Sequence, residues 1–108
     1  MKKLIRLIAE AKELEDCKMI LQLVVEDEKL VAQDHFGYQN EEGDIYPLIL
    51  YAPDSTHEVM QKMEFGACCD IVATTNLFTK RIIVGEYFTL IEDKDEYTYQ
   101  ITHVTEMM

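Results

Sequence analysis

Between Lys18 and Asp27 the side chains alternate: Met19, Leu21, Leu23 and Val25 fall on one face, Lys18, Gln22 and Glu26 on the other. A repeat of two marks a strand half-buried in a sheet, because successive Cβ atoms leave a pleated backbone on opposite sides. The rhythm returns near the C-terminus, where Tyr97, Tyr99 and Ile101 share one face and Thr98, Gln100 and Thr102 the other. Tyr and Thr both suit a pleated surface. The chain is therefore expected to be mainly β.

Further strands are expected around these two. The triplet Glu26-Asp27-Glu28 reads as a turn into a short strand, Lys29 to Gln33. Ile45 to Tyr51 is an apolar run whose Pro47 lacks a donor N–H and so belongs at an edge or a strand start. Cys69 to Thr75 and Arg81 to Ile91 are also β-rich. Glu92-Asp93-Lys94-Asp95-Glu96 has hairpin length and leads into Tyr97 to Val104.

One short helix is expected at 55–63. Ser55 and Glu58 have the spacing of a capping box, Val59, Met60 and Met63 supply an apolar stripe, and Gly66 is a reasonable stop. Residues 3–14 support two readings. As a helix they bury Leu4, Leu7, Ile8, Ala11 and Leu14; as a strand they bury Ile5, Leu7, Ala9 and Ala11. Ala, Lys and Glu favour the helix. The bases lie at its start and the acids at its end, however, which opposes the helix dipole and favours the strand. With about six strands and one short helix, a small antiparallel β-barrel, OB-like or translation-factor-like, is the expected way to remove exposed edges.

The run Ile82-Ile83-Val84-Gly85-Glu86-Tyr87-Phe88-Thr89-Leu90-Ile91, followed by Tyr97-Thr98-Tyr99-Gln100-Ile101-Thr102-His103-Val104, resembles part of the second-domain β-barrel of translational GTPases. In that family a strand ending in a Val-Gly-acid step leads into a hairpin. The resemblance implies a barrel in which Gly85 permits a bend or bulge. It implies no nucleotide chemistry, since the chain holds no Gly-x-x-x-x-Gly-Lys-Ser/Thr loop to cradle phosphates.

A length of 108 residues suits a single domain spanning 1–108, and a 48% hydrophobic fraction supplies one core. No apolar run approaches the roughly 20 residues of a membrane span, and Arg6 interrupts the N-terminal apolar patch before it reaches signal-peptide length. Cys17, Cys68 and Cys69 are an odd number without a secretion signal, so free thiols and a cytoplasmic setting are expected. Net charge is −11, from 21 acids against 10 bases. That balance repels a phosphate backbone and disfavours nucleic acid, leaving only Lys2, Lys3 and Arg6, with Lys80 and Arg81, as local basic clusters.

Candidate chemistry is sparse. Cys68 and Cys69 would face opposite sides of a strand, and no Cys-x-x-Cys or His-x-x-x-His spacing occurs, so neither metal nor cofactor is expected. Cys69 with His103 would be a catalytic pair only through the fold, against a plain reading of His103 as a core-edge histidine on the Tyr97 face. Glu41-Glu42-Gly43-Asp44 lacks the spacing of a calcium loop and reads as a solvated turn. His35-Phe36-Gly37-Tyr38-Gln39-Asn40 is the most site-like stretch. It reads as a recognition loop, or as aromatics capping the barrel's open end.

The leading expectation is a non-catalytic binding or regulatory protein whose partner is a protein with a basic face. Its contacts are assigned to Glu92, Asp93, Asp95 and Glu96, with His35, Phe36 and Tyr38. The composition parallels small acidic proteins of phages and mobile elements that block nucleic-acid-binding machinery. One alternative is a single-stranded nucleic-acid-binding barrel using Phe36, Tyr38 and Tyr99 beside Lys80 and Arg81. Another is a small enzyme with a Cys/His or carboxylate site.

Overall fold

The computed structural model describes residues 1–53, 60–66 and 71–107. Its strands are β1 (Lys2–Ala11), β2 (Cys17–Glu26), β3 (Lys29–Leu30), β4 (His35–Glu41), β5 (Asp44–Leu50), β6 (Gln61–Phe65), β7 (Ile71–Thr75), β8 (Tyr87–Glu92) and β9 (Asp95–Glu106). A single 3-10 turn, Leu77–Thr79, completes the regular structure among the described residues. Every ladder is antiparallel, and each long strand pairs with its neighbours in the chain. The ring closes where β9 pairs with β1, giving an eight-stranded barrel with β3 as an appendage on β2.

The expected mainly β barrel is present, with eight strands where about six were expected. Its path is an up-and-down meander, whereas an OB-fold is a five-stranded Greek key. Residues 2–11 take the strand reading, with Ile5, Leu7 and Ala9 buried. Pairing explains the choice: β1 aligns with β2 from Lys2↔Glu26 to Glu10↔Lys18, so both apolar faces point inward together.

The helix expected at 55–63 is corrected at its C-terminal end. Gln61–Phe65 is strand, and Met63 is buried by period two, with Lys62 outward between Gln61 and Met63. Ser55, His57, Glu58 and Val59 lie outside the described residues. The strand expected from Arg81 begins only at Tyr87, after an irregular stretch in which Gly85 takes φ 96. The strand expected over Lys29 to Gln33 is reduced to Lys29–Leu30. Of Cys69 to Thr75, Ile71–Thr75 is strand, and Cys68 and Cys69 lie outside the described residues.

Pro47 sits inside β5, opposite Tyr38, yet obeys the rule for prolines in sheets. The β5–β6 ladder spans only Leu48 to Leu50, and the Pro47 carbonyl accepts the last bond, from Gly66 N–H at 2.8 Å. Its missing N–H therefore falls where that ladder ends.

The barrel interior is packed with side chains, as the geometry of eight strands requires. Leu7, Met19, Leu21, Leu23, Leu50, Met63, Leu90 and Ile101 are buried there, and Phe88 stacks on Tyr99 with ring centres 5.5 Å apart. Leu77 and Ile82 are buried as well, in the irregular segment between β7 and β8. No helix among the described residues is long and apolar enough to cross a membrane.

Candidate functional site

In a meander, alternate turns gather at the same end. Among the described residues, three hairpin turns thus share one end: Lys12–Asp16 after β1, Glu42-Gly43 after β4, and Asp93-Lys94 after β8. Two bonds tie them together. Glu42 N–H donates to the Asp16 carbonyl at 2.9 Å, and Thr98 N–H donates to Glu13 Oε1 at 2.7 Å. Tight hairpin turns demand left-handed backbone. Asp16, Glu42 and Asp93 provide it at φ 52, 52 and 58, and Gly43 at φ 93.

These turns and their closing strand residues concentrate negative charge. Among the described residues they carry Glu13, Glu15, Asp16, Glu41, Glu42, Asp44, Glu92, Asp93, Asp95 and Glu96, against Lys12 and Lys94, with Lys18 bordering Asp16 and Gly43. Lys12 turns aside to Gln100 Oε1 at 3.2 Å and lies over the Tyr87 ring. The ion pairs among the described residues, Met1–Glu26, Lys3–Glu106, Lys62–Glu64 and Arg81–Glu28, all lie away from these turns. The acidic end keeps a large excess of carboxylates.

Strand phase brings two of these acids to the rim of the interior. Glu92 follows Phe88 and Leu90 on the inward positions of β8, and Glu41 follows His35, Gly37 and Gln39 on those of β4. Both are half-buried. Partial loss of solvent holds the Glu92 carboxyl above the usual carboxylate range, with repulsion from Glu41 and Asp95 adding to it. The same two glutamates act on a short buried polar chain. The Tyr99 hydroxyl donates to Gln39 Oε1 at 3.2 Å and lies 3.4 Å from Cys17 Sγ. With its one proton given to Gln39, Tyr99 is left to accept from the thiol. Burial pushes the Tyr99 hydroxyl far above a phenol's ordinary value and raises the Cys17 thiol too. Cys17 is thus a neutral, buried thiol.

The expected site residues divide. Glu92, Asp93, Asp95 and Glu96 lie together on the acidic end, joined by the Glu41 to Asp44 turn. The Glu26 to Glu28 turn is at the far end of β2, where Glu28 pairs with Arg81 and Glu26 with the N-terminus. His35-Phe36-Gly37-Tyr38-Gln39-Asn40 is strand β4, which corrects the loop reading. Alternation then separates its aromatics from its histidine. Phe36 and Tyr38 stand on the outer wall, 58% and 39% exposed, and do not cap an end. His35 points inward and is 2% exposed; its Nδ1 accepts from Val24 N–H and its Nε2 lies 3.0 Å from the Val31 carbonyl. That pair of partners fixes the neutral ring with the proton on Nε2. Burial lowers its pKa.

His103 is exposed, a correction to its core-edge placement. The β1–β9 register shifts between Ile8 and Ala9, so Ile101 faces Ala9 and His103 faces Ile8, with Thr102 the extra residue. Such a bulge reverses the facing of everything beyond it, and Thr102 Oγ1 anchors it on the Ile8 carbonyl at 3.2 Å. Among the described residues, no group of three or more His, Cys, Asp or Glu is placed to hold a metal ion. Sequence reasoning missed Cys17, Gln39, Glu41 and Tyr99 as one cluster. The phase of β4 and β8 shows their inward positions running out in carboxylates, but no local signal joins Cys17 and Tyr99 to them. No family model, no curated protein and no solved structure matches the chain.

Proposed function

We propose that the protein is a non-catalytic binding module that acts through protein contacts and covers a basic surface on its partner. One observation carries the reading: among the described residues, three hairpin turns place ten carboxylates on one end of the barrel against Lys12, Lys94 and the neighbouring Lys18, away from the ion pairs. Like charges crowded without counterions oppose folding. Glu92 is disfavoured further, since its carboxylate loses solvent at the rim. A partner bearing Lys and Arg offsets the repulsion on binding, and opposite potentials also steer the encounter.

The proposal extends to an occluding role of the kind used by small phage and mobile-element proteins, in a cytoplasmic setting. The single-stranded nucleic-acid alternative has less support. Tyr99 is 1% exposed inside the wall and Arg81 is engaged by Glu28. The test is affinity capture from the native host with the wild-type chain and with a Glu41→Gln/Glu42→Gln/Glu92→Gln variant. A protein retained at moderate salt by the first and released by the second is expected. Capture of no protein, or equal capture by both, refutes the reading.

A further inference from the structure

The outer wall beside the acidic end carries a second feature. Ladder register sets Tyr38 opposite Pro47 and Phe36 opposite Ile49, and Ile45 stands one outward position nearer the tip. Phe36 and Ile45 are more than half exposed, at 58% and 53%. Next to them Gly66 offers no side chain above Pro47, which leaves a shallow groove bordered by Phe36, Pro47, Ile49 and Glu64. Apolar groups this exposed on neighbouring strands are a contact surface awaiting a partner. The strip has a direction, because it runs along the β4–β5 hairpin into Glu42 and Asp44 at its tip.

We infer that this strip takes a protein segment with an apolar side chain followed by Lys or Arg, the apolar group seated on Phe36, Pro47 and Ile49 and the basic groups on the hairpin tip. The inference rests on the reading of the acidic end and names the chemistry of the partner that reads it. Charge complementarity selects this occupant. A second copy would bring −11 against −11, and a nucleic acid would add phosphates beside the carboxylates. Apolar seating would supply affinity while the tip sets direction, the usual division between a contact's centre and its rim.

The test uses the full chain, isotope-labelled, titrated with three synthetic peptides of equal length and followed by amide shifts. One carries Leu-Phe followed by a lysine run, the second Ser-Ser before the same lysines, and the third Leu-Phe before a glutamate run. The first is expected to bind about tenfold tighter than either other, with shifts along β4 and β5. Phe36→Ser, a solvent-facing change whose fold the same spectrum checks, should remove that advantage. Equal binding of both lysine peptides, with shifts confined to the turns, overturns the strip and leaves the acidic-end reading standing. No binding by any peptide overturns both. Equal binding of the glutamate peptide, or a dimer that Phe36→Ser dissociates, also overturns the inference.

Discussion

Gly37 of β4 packs directly against the backbone of β2, and replacing it tests the barrel's geometry. A Cβ built there would fall on the carbonyl oxygen of Ile20, with Leu21 Cδ2 at 2.8 Å and Leu21 Cα at 2.9 Å. Two of these three atoms are backbone, so no rotamer change makes room. In Gly37→Ala the strands must part by about 1 Å, as overpacked interiors do, at about 1–3 kcal/mol. One or two weakened ladder bonds add roughly 1 kcal/mol each. The lower freedom of the unfolded alanine chain returns about 0.4–1 kcal/mol. The net is a loss of about 1–4.5 kcal/mol, or on the order of 5–25 °C in melting temperature for a domain of this size. Denaturant unfolding should show a lower midpoint with unchanged slope. Gly66→Ala is the control, since its Cβ meets only the Pro47 ring at 3.3 Å and the Pro47 carbonyl at 3.7 Å. If Gly37→Ala unfolds within about 0.5 kcal/mol of wild type, the range of neutral surface changes, the close approach is not what requires glycine.

Three further outcomes are expected. Glu92→Gln should raise the unfolding midpoint at pH 7, less so in high salt. Because the folded pKa of Glu92 is raised above 4.5, the wild type gains stability as pH falls from that folded value through 4.5, so the variant's advantage should shrink over that window and vanish below it; a destabilised variant would contradict the crowding argument. His35 has a folded pKa lowered below 6.5, so its contribution is complete above pH 6.5 and drains away as pH falls from there through the folded value. A ring-proton titration that places His35 at or above 6.5 would refute its buried neutral state. Tyr99→Phe removes the hydroxyl between Gln39 and Cys17 and should cost about 1–3 kcal/mol in denaturant unfolding, as a buried acceptor is left unmet. A neutral result would mean that water replaces it.

The strands legible in the sequence were those whose two faces differ in polarity. Lys18 to Asp27 and Tyr97 to Thr102 alternate cleanly because one side meets the core and the other meets solvent. β4 was hidden because its outer face is aromatic and its inner face holds His35, Gly37 and Gln39, which inverts the usual contrast. β6 was masked by the helical spacing of Val59, Met60 and Met63, although the short Gln-Lys-Met-Glu-Phe run fits a strand equally well. The acidic turns were readable as composition. Which of them share an end depends on the order of strands, and a bulge such as that at Thr102 leaves no local mark. The Cys17–Tyr99–Gln39 chain joins residues far apart in sequence, so only the closed ring brings it together.

Closure of the ring through β9 and β1 has a consequence for how a partner can be recognised. Every long strand already has a neighbour on both sides, and the appended β3 is two residues long. Among the described residues an incoming chain therefore finds only short free rows of amides and carbonyls, such as Asp44–Tyr46 beyond the β5–β6 ladder. Recognition of the proposed partner would then rest chiefly on side chains, which makes it separable, one substitution at a time, from the folding of the barrel.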